Sequence, residues 1–569
     1  RMKANRWSEL DDNSLNKGFK PTPPAISDNK KTTTVIADNG SPLNKKILLG
    51  SILLVVIAMT TFKFNDSDVA IDSPTINREQ AIHIAEDFLA NQNITLPEGY
   101  QGYAMVTETY PASDFVWEEL GSDTFKDLLG SYVLAPRWKV RFAKFDGEVE
   151  ERAREVVVSV DFDGNPIRFY NKFPENEAGL SLSQADAKVI ADKALSDHFN
   201  LSASDLSLVS AIESQKPERL DWTFTYAEDK DVSYEGTQFE NIITVAGDQL
   251  AGFSQSVNVP EEWGRMKRDR EGFSGILAML FSIPGGLFIG GLFLMRSFKM
   301  MMDSNLNFRK GLLFGGIVFL SALIAFFNDS SFFMTLPTDQ PIGNLMTTMY
   351  ISAMIGFLVV ALAQVLFFGG LGTMLKPTFN RSSISDSIVG GFIAALLGTT
   401  VAMIAGSFQL DLNPNFPRIT LSGLYYPIVD TFNIYGGFVA VAFSLFFAKT
   451  LFEITDGYAN TVKSNIYGVL LVIFVYGGTI EMQYTIISSL IAISLYSTLL
   501  FLVYKFLIKN NYMLIPFMVL FERIISTFSS NELGTFNSYP NEALYMVASY
   551  LLGVVVWVQL TKFFFDTDQ

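Results

Sequence analysis

Phe273-Ser-Gly-Ile-Leu-Ala-Met-Leu-Phe-Ser-Ile-Pro-Gly-Gly-Leu-Phe-Ile-Gly-Gly-Leu-Phe-Leu-Met295 contains no charged residue. A helix rises 1.5 Å per residue, so roughly 20 apolar residues cross a hydrocarbon core of about 30 Å. This stretch therefore predicts a membrane span. Pro284 and the pairs Gly285-Gly286 and Gly290-Gly291 are compatible with that reading, because neighbouring helices satisfy freed backbone groups in a bilayer. Outward toward the C-terminus follow eight more apolar runs, at 311–327, 344–368, 386–406, 424–448, 465–481, 484–508, 512–528 and 543–561. Outward toward the N-terminus, Lys45 and Lys46 introduce another at Ile47–Phe62. Its long polar leader and the lack of a small-x-small cleavage site favour an uncleaved anchor over a signal peptide.

Ten spans with polar text between them explain the composition. The chain of 569 residues is 49% hydrophobic and only 18% charged, against roughly 25% charged in ordinary globular proteins. Cysteine is absent, which excludes disulfides, thiol nucleophiles and thiolate metal sites. The two histidines, His83 and His198, are too few for a His-rich metal centre. Neither a metal nor a cofactor is expected. The net charge of −16 excludes nucleic acid as a partner, since phosphate binding needs a basic surface.

The charges also orient the spans. With the N-terminus inside, the inner loops carry Arg296, Lys299, Arg309, Lys310, Lys376, Arg381, Lys449, Lys463, Lys505, Lys509 and Lys562, and the short outer loops carry Arg418 alone. Lys/Arg concentrate in short cytoplasmic loops. Both termini are thus expected in the cytoplasm, and residues 65–263 outside it, with the bacterial inner (cytoplasmic) membrane as the location. Residues 1–46 read as a disordered cytoplasmic tail, 47–64 as a signal-anchor span, 264–272 as a basic juxtamembrane linker and 273–562 as a nine-span bundle.

The outer domain is acidic, with 15 Lys/Arg against 37 Asp/Glu, and it repeats. Ala81, Ile84, Ala85, Phe88 and Leu89 recur in spacing as Ala187, Ile190, Ala191, Ala194 and Leu195. Each set has the period of a one-faced helix. Thr75 and Ser181 or Ser183 occupy N-cap positions. Strand-like text follows each helix: Trp138–Phe142, Val156–Phe162 and Ile167–Phe169, then Trp222–Tyr226, Asn241–Val245 and a strand to Phe253, with turns at Asp163-Gly164-Asn165 and Gly247-Asp248. The expected fold class is an α-helical polytopic membrane protein of about ten spans. Its α+β extracytoplasmic domain consists of two similar helix-plus-antiparallel-sheet units.

That layout resembles the PepSY-type modules of bacterial envelope proteins, which implies a binding or inhibitory domain. Val259-Pro-Glu-Glu-Trp263, the basic segment after it and the following spans are similar to the N-terminal extension of CAAX protease and bacteriocin-processing intramembrane proteases. The resemblance implies a catalytic core in the last spans, carrying E-E-x-x-x-R, F-x-x-x-H and H-x-x-x-N/D motifs. Here Phe443–Leu451 contains no acid, Gly478 stands four residues after Phe474 where a histidine belongs, and Phe521 and Ile525 fill the third motif. No histidine follows residue 198. The resemblance therefore implies a catalytically dead member, a pseudoprotease without enzyme activity.

Other residues invite chemistry. Ionisable groups inside spans are costly and often functional, which singles out Asp430, Glu522 and Arg523. Glu522 is expected to face the bundle and Arg523 to reach the outer interface. Arg265, Lys267, Arg268 and Arg270 form a cluster for anionic headgroups or for pairing with the acidic domain. The small-xxx-small pairs Gly286/Gly290 and Gly311/Gly315 allow close helix approach. The expected function is a non-enzymatic scaffold, assembly factor or regulator that lies in the lipid bilayer and binds another membrane or periplasmic protein. A homo-oligomer is compatible with this. The alternatives are a secondary transporter using intramembrane carboxylates and an active intramembrane peptidase.

Overall fold

The computed structural model describes residues 49–53, 55–57, 69, 74–107, 111–230, 234–328, 331–374, 381–406, 434–455, 462–476 and 486–529. Residues 1–48, most of 47–64, Asp430, Gly478 and the run at 543–561 lie outside the described residues.

Two helix-plus-four-strand units build the domain that spans residues 78–258. The first is α1 (Arg78–Asn91) with β1 (Gln101–Thr107), β2 (Arg137–Ala143), β3 (Glu155–Val160) and β4 (Pro166–Lys172); the second is α2 (Gln184–Phe199) with β5 (Ser207–Gln215), β6 (Leu220–Glu228), β7 (Gln238–Ala246) and β8 (Gln249–Asn258). Each unit is an antiparallel meander, and the two join through their last strands. The result is one eight-stranded sheet in the order β1-β2-β3-β4-β8-β7-β6-β5. The seam is short, pairing Phe169 with Phe253 and Tyr170 with Gly252. A Cβ at Gly252 would sit 3.0 Å from the Phe169 carbonyl oxygen, so the close approach needs glycine there.

Both helices lie on one face of the sheet. Ala81, Ala85, Phe88 and Leu89 of α1 and Ala187, Ala191, Ala194 and Leu195 of α2 are buried in one core with Trp138, Val158, Trp222 and Ile243. The helices meet over the seam, where Phe88 packs edge-on to Phe169 at 5.4 Å and His198 stacks on Phe253 at 4.0 Å. The expected cap at Ser183 is present, its Oγ accepting from the Asp186 N–H. Thr75 is not a cap. Its hydroxyl donates to the Phe162 carbonyl at 2.6 Å, and Asn77 caps α1 through a reciprocal pair of bonds with Gln80. The longer Asn77 side chain meets the free N–H groups two residues nearer the helix.

An insertion between β1 and β2 carries short helical pieces at Pro111–Phe115, Val116–Leu120 and Ser122–Leu128. Phe115, Trp117, Phe125 and Tyr132 form a second core with Phe239, Val257 and Trp263.

Trp263 opens α3 (Glu261–Met302), a single helix of 42 residues. The basic segment 264–272 is helical. It is the first turns of the same helix that continues through the Phe273–Met295 run, because nothing in Gly264–Gly272 breaks the backbone ladder. The bundle continues with α4 (Phe308–Asn328), α5 (Ile342–Met374), α6 (Arg381–Gly406), α7 (Ile434–Thr455), α8 (Val462–Tyr476), α9 (Ile486–Phe506) and α10 (Leu514–Ser529). Among the described residues three helices are long and apolar enough to cross a membrane: Glu261–Met302, Phe308–Phe327 and Ile342–Gly370. Three shorter apolar helices are Ser385–Val401, Val462–Tyr476 and Ile493–Phe506. The chain is therefore a helical protein with membrane-associating segments and an eight-stranded antiparallel sheet.

Packing in the bundle relies on small residues. A Cβ at Gly311 or Gly315 on α4 would collide with Val365 on α5, and Phe314 stacks on Phe368 at 4.2 Å beside them. At Gly286 and Gly290, by contrast, an added Cβ would meet nothing within 4 Å.

Candidate functional site

The sheet face opposite α1 and α2 carries a polar concave surface. Strand alternation sends Trp138, Val156, Val158 and Phe169 to the core, and Arg137, Lys139, Glu155, Ser159 and Arg168 to the other face. There they line a cleft of about 740 Å³ with Tyr170, Glu240, Ser256 and Asn258. Burial lowers the Lys139 ammonium and raises the Glu240 carboxyl from their ordinary values, since desolvation disfavours each charged form. Arg141 pairs with Glu155 at 2.9 Å.

The two ends of the sheet are treated differently. At the β1 end the loop between α4 and α5 closes over it. Phe333 stacks on Tyr103 at 4.8 Å, its carbonyl accepts from buried Arg141 at 2.7 Å, and the Gln340 carbonyl accepts from buried Arg152 at 2.6 Å. Among the described residues no strand pairs outside β5. β5 spans nine residues without Lys or Pro, and Leu208, Val209 and Ile212 are 40%, 47% and 61% exposed. An unpaired strand edge is a template for another chain unless charge, proline or a covering element blunts it. The bulge between Leu208 and Ser210 and the lone charge of Glu213 are the only such devices here.

The basic cluster divides. Lys267 pairs with Asp114 and Glu271, and Arg270 grips Glu118 through two bonds of 2.7 and 2.8 Å. Arg265 and Arg268 are exposed on the same helix. Pairing with the domain is thus the observed role of Lys267 and Arg270; their acidic partners come from the insertion, which the second core holds against Trp263.

Among the described residues the candidates from the apolar runs do not gather into one centre. Phe474 on α8 packs against Phe281 of α3, with ring centroids 6.1 Å apart, while Phe521 on α10 packs edge-on to Phe392 of α6 at 5.1 Å. Ile525 is half-buried on α10. Glu522 is exposed but lies within electrostatic reach of Tyr476 on α8 and Tyr496 on α9. The side chain of Arg523, with Asp430 and Gly478, lies outside the described residues. Glu453 is in the last turns of α7, where Arg296 and Lys449 pair with it. Among the described residues no group of three or more His, Asp or Glu comes together that could hold a metal ion.

Sequence reading passed over two features of this geometry. The β5 edge hides in Ser-Leu-Val-Ser-Ala-Ile-Glu-Ser-Gln, where the only sign is the absence of edge-blunting residues. Gln364, on α5, is 6% exposed, and its Oε1 has no hydrogen-bond partner; an amide inside the apolar run 344–368 was its signal. Comparison with protein-family models, with curated proteins and with solved structures finds no match for this chain.

Proposed function

We propose that this chain is a non-enzymatic envelope scaffold or regulator whose extracytoplasmic sheet takes an extended segment of another membrane or periplasmic protein as a ninth strand on β5. The observation that carries this reading is the asymmetry of the sheet: its β1 end is held by the chain's own loop, while β5 keeps an exposed apolar edge. Strand addition supplies affinity through main-chain bonds and specificity through alternate side chains. Leu208 and Ile212 flank such a strand on opposite faces of the sheet.

The proposed setting is a ten-span bundle in the bacterial inner membrane with both termini in the cytoplasm. The eleven-to-one distribution of basic loop residues supports it. So does the contact between the α4–α5 loop and the domain, since alternation puts both on one side. Phe521 and Ile525 stand where the resembled proteases need imidazole and amide groups, and Phe521 packs on Phe392 instead, in line with a pseudoprotease bundle.

A photo-crosslinking residue at Ile212 in native membranes should join β5 to a second polypeptide, and Ile212→Asp should abolish co-purification of that polypeptide. The same residue at Tyr103 should link only within the chain. A β5 that never crosslinks to another polypeptide overturns the reading. A second reading, secondary transport, draws on the position of Glu522 near Tyr476 and Tyr496. It predicts proton-driven uptake into vesicles that Glu522→Gln removes.

A further inference from the structure

α3, α5 and α7 enclose a groove of about 360 Å³, within the range of roughly 300–1,000 Å³ typical of small-molecule sites. Its walls are apolar: Ile289 and Phe293 of α3, Phe367 of α5, Ala442 and Phe446 of α7. Phe293 and Phe446 meet edge to face at 5.4 Å at one end. Along α3 the wall is Gly286 and Gly290, where an added Cβ would touch nothing within 4 Å. The missing side chains leave space rather than permitting a helix contact, unlike Gly311 and Gly315. On the same helix Ile283 and Leu287 are 55% and 72% exposed. α3 thus presents apolar side chains outward beside the groove, and a bilayer around this helix reaches the opening at Gly286.

Two polar side chains break the apolar lining: the Ser282 hydroxyl donates to the Ala278 carbonyl of its own helix, which leaves Gln364 as the unsatisfied one. Gln364 is 6% exposed, lines the groove and has an Oε1 without a partner. A buried acceptor left unsatisfied costs stability, more so where the surroundings are apolar. A space of this size, reached from the side and carrying one stranded acceptor, fits an occupant with a hydrocarbon body and a single donor.

We propose that this groove binds a hydroxyl-bearing single-chain lipid, with the chain along Gly286 and Gly290 and the hydroxyl donating to the Gln364 Oε1. A hydroxyl both donates and accepts, so it serves the amide better than a pure donor does. A free phospholipid tail fills the space but leaves the acceptor stranded.

The test uses the full chain purified in mild detergent and two photoactivatable probes. One is a monoacylglycerol with a diazirine in its chain; the other is the same molecule with both hydroxyls methylated. The hydroxyl probe should label the 282–293 and 439–446 segments about tenfold more strongly than the methylated one, as the loss of a buried hydrogen bond implies. Gln364→Met, close in volume, should bring the two probes level. Gly290→Leu should abolish labelling by both, while Gly316→Leu, also without a neighbour within 4 Å, should leave it unchanged. Thermal melting of each variant establishes that it is folded, and the wild-type comparison of probes needs no variant. Equal labelling of the wild type by the two probes overturns the proposal, as does labelling that survives Gly290→Leu.

Discussion

Trp138 and Trp222 occupy equivalent places in the two halves of the sheet: each indole N–H donates to the carbonyl of the residue just before a helix N-cap. Trp138 reaches Ile76 at 3.2 Å and Trp222 reaches Leu182 at 3.0 Å. Each bond ties a strand to the start of the helix that covers it. Replacing either by Phe leaves a carbonyl without its donor, at a cost of about 1–2 kcal/mol. Five strand steps separate β2 from β6, about 24 Å, so the losses should add to within about 0.5 kcal/mol. Denaturant unfolding followed by near-ultraviolet circular dichroism measures this. A double variant no less stable than one single variant would contradict the equivalence.

The grip of Arg270 on Glu118 should fasten the insertion to α3. The pair is partly exposed, so its net worth is about 1 kcal/mol. Arg270→Glu should speed hydrogen exchange across 111–128, and adding Glu118→Arg should slow it again. Exchange unchanged in the single variant would show that the aromatic contacts of Trp263 suffice alone.

His198 should make the domain sensitive to acid. Burial against Phe253 lowers its pKa below the ordinary value, with Asp197 opposing weakly. The unfolded chain then binds the proton more readily than the folded one. This contribution to stability is complete above the unfolded value of about 6.5 and declines as pH falls from there through the folded value. His198→Phe keeps the stacking and should flatten the melting temperature between pH 7 and 5. An equally steep fall in that variant would assign the acid sensitivity elsewhere.

Close packing of α4 on α5 should tolerate no side chain at Gly311. An alanine there would meet the Val365 carbonyl, and overpacking of this kind costs about 1–3 kcal/mol. Gly316→Ala, with no neighbour within 4 Å, serves as the control. Melting in detergent should separate the two, with Gly311→Ala the lower.

Membrane orientation can be read by labelling this cysteine-free chain. Ser214 and Asn305 are both exposed, whereas Ser113 and Ser464 are each only 3% exposed and would label poorly in any orientation. Ser214→Cys should react with an impermeant maleimide in intact cells, and Asn305→Cys only after the membrane is opened. Reaction at Asn305 in intact cells would invert the proposed topology.

The elements legible in the sequence are those whose burial is one-sided. The i, i+3, i+4 spacing of Ala81, Ala85 and Leu89 marks α1 because its other face meets water. Val156, Val158 and Val160 mark β3 by alternation, and their burial in the core bears that out. β1 and β5 escape notice because they end the sheet: Leu208, Val209 and Ile212 are all exposed, so no alternation is imposed on them. The insertion at 111–128 is invisible for another reason. Its helices are too short to form unaided and depend on Phe115 and Trp117 meeting Trp263 and Phe125. The charges of Lys267 and Arg270 are plain in the sequence, but their partners Asp114 and Glu118 lie about 150 residues away, a separation no local pattern bridges.

The unbroken run of α3 gives the molecule a lever. Forty-two residues in one helix measure about 63 Å from Glu261 to Met302. Ion pairs and an aromatic cluster hold the outer end to the sheet; at the other end Arg296 is paired to Glu453 on α7. A swing of about 5° at the domain displaces the far end by roughly 5 Å, nearly one helical turn. A tilt of this helix at the sheet would therefore be felt at α7 through the Arg296–Glu453 pair, so the two ends of the described fold are mechanically joined by one element.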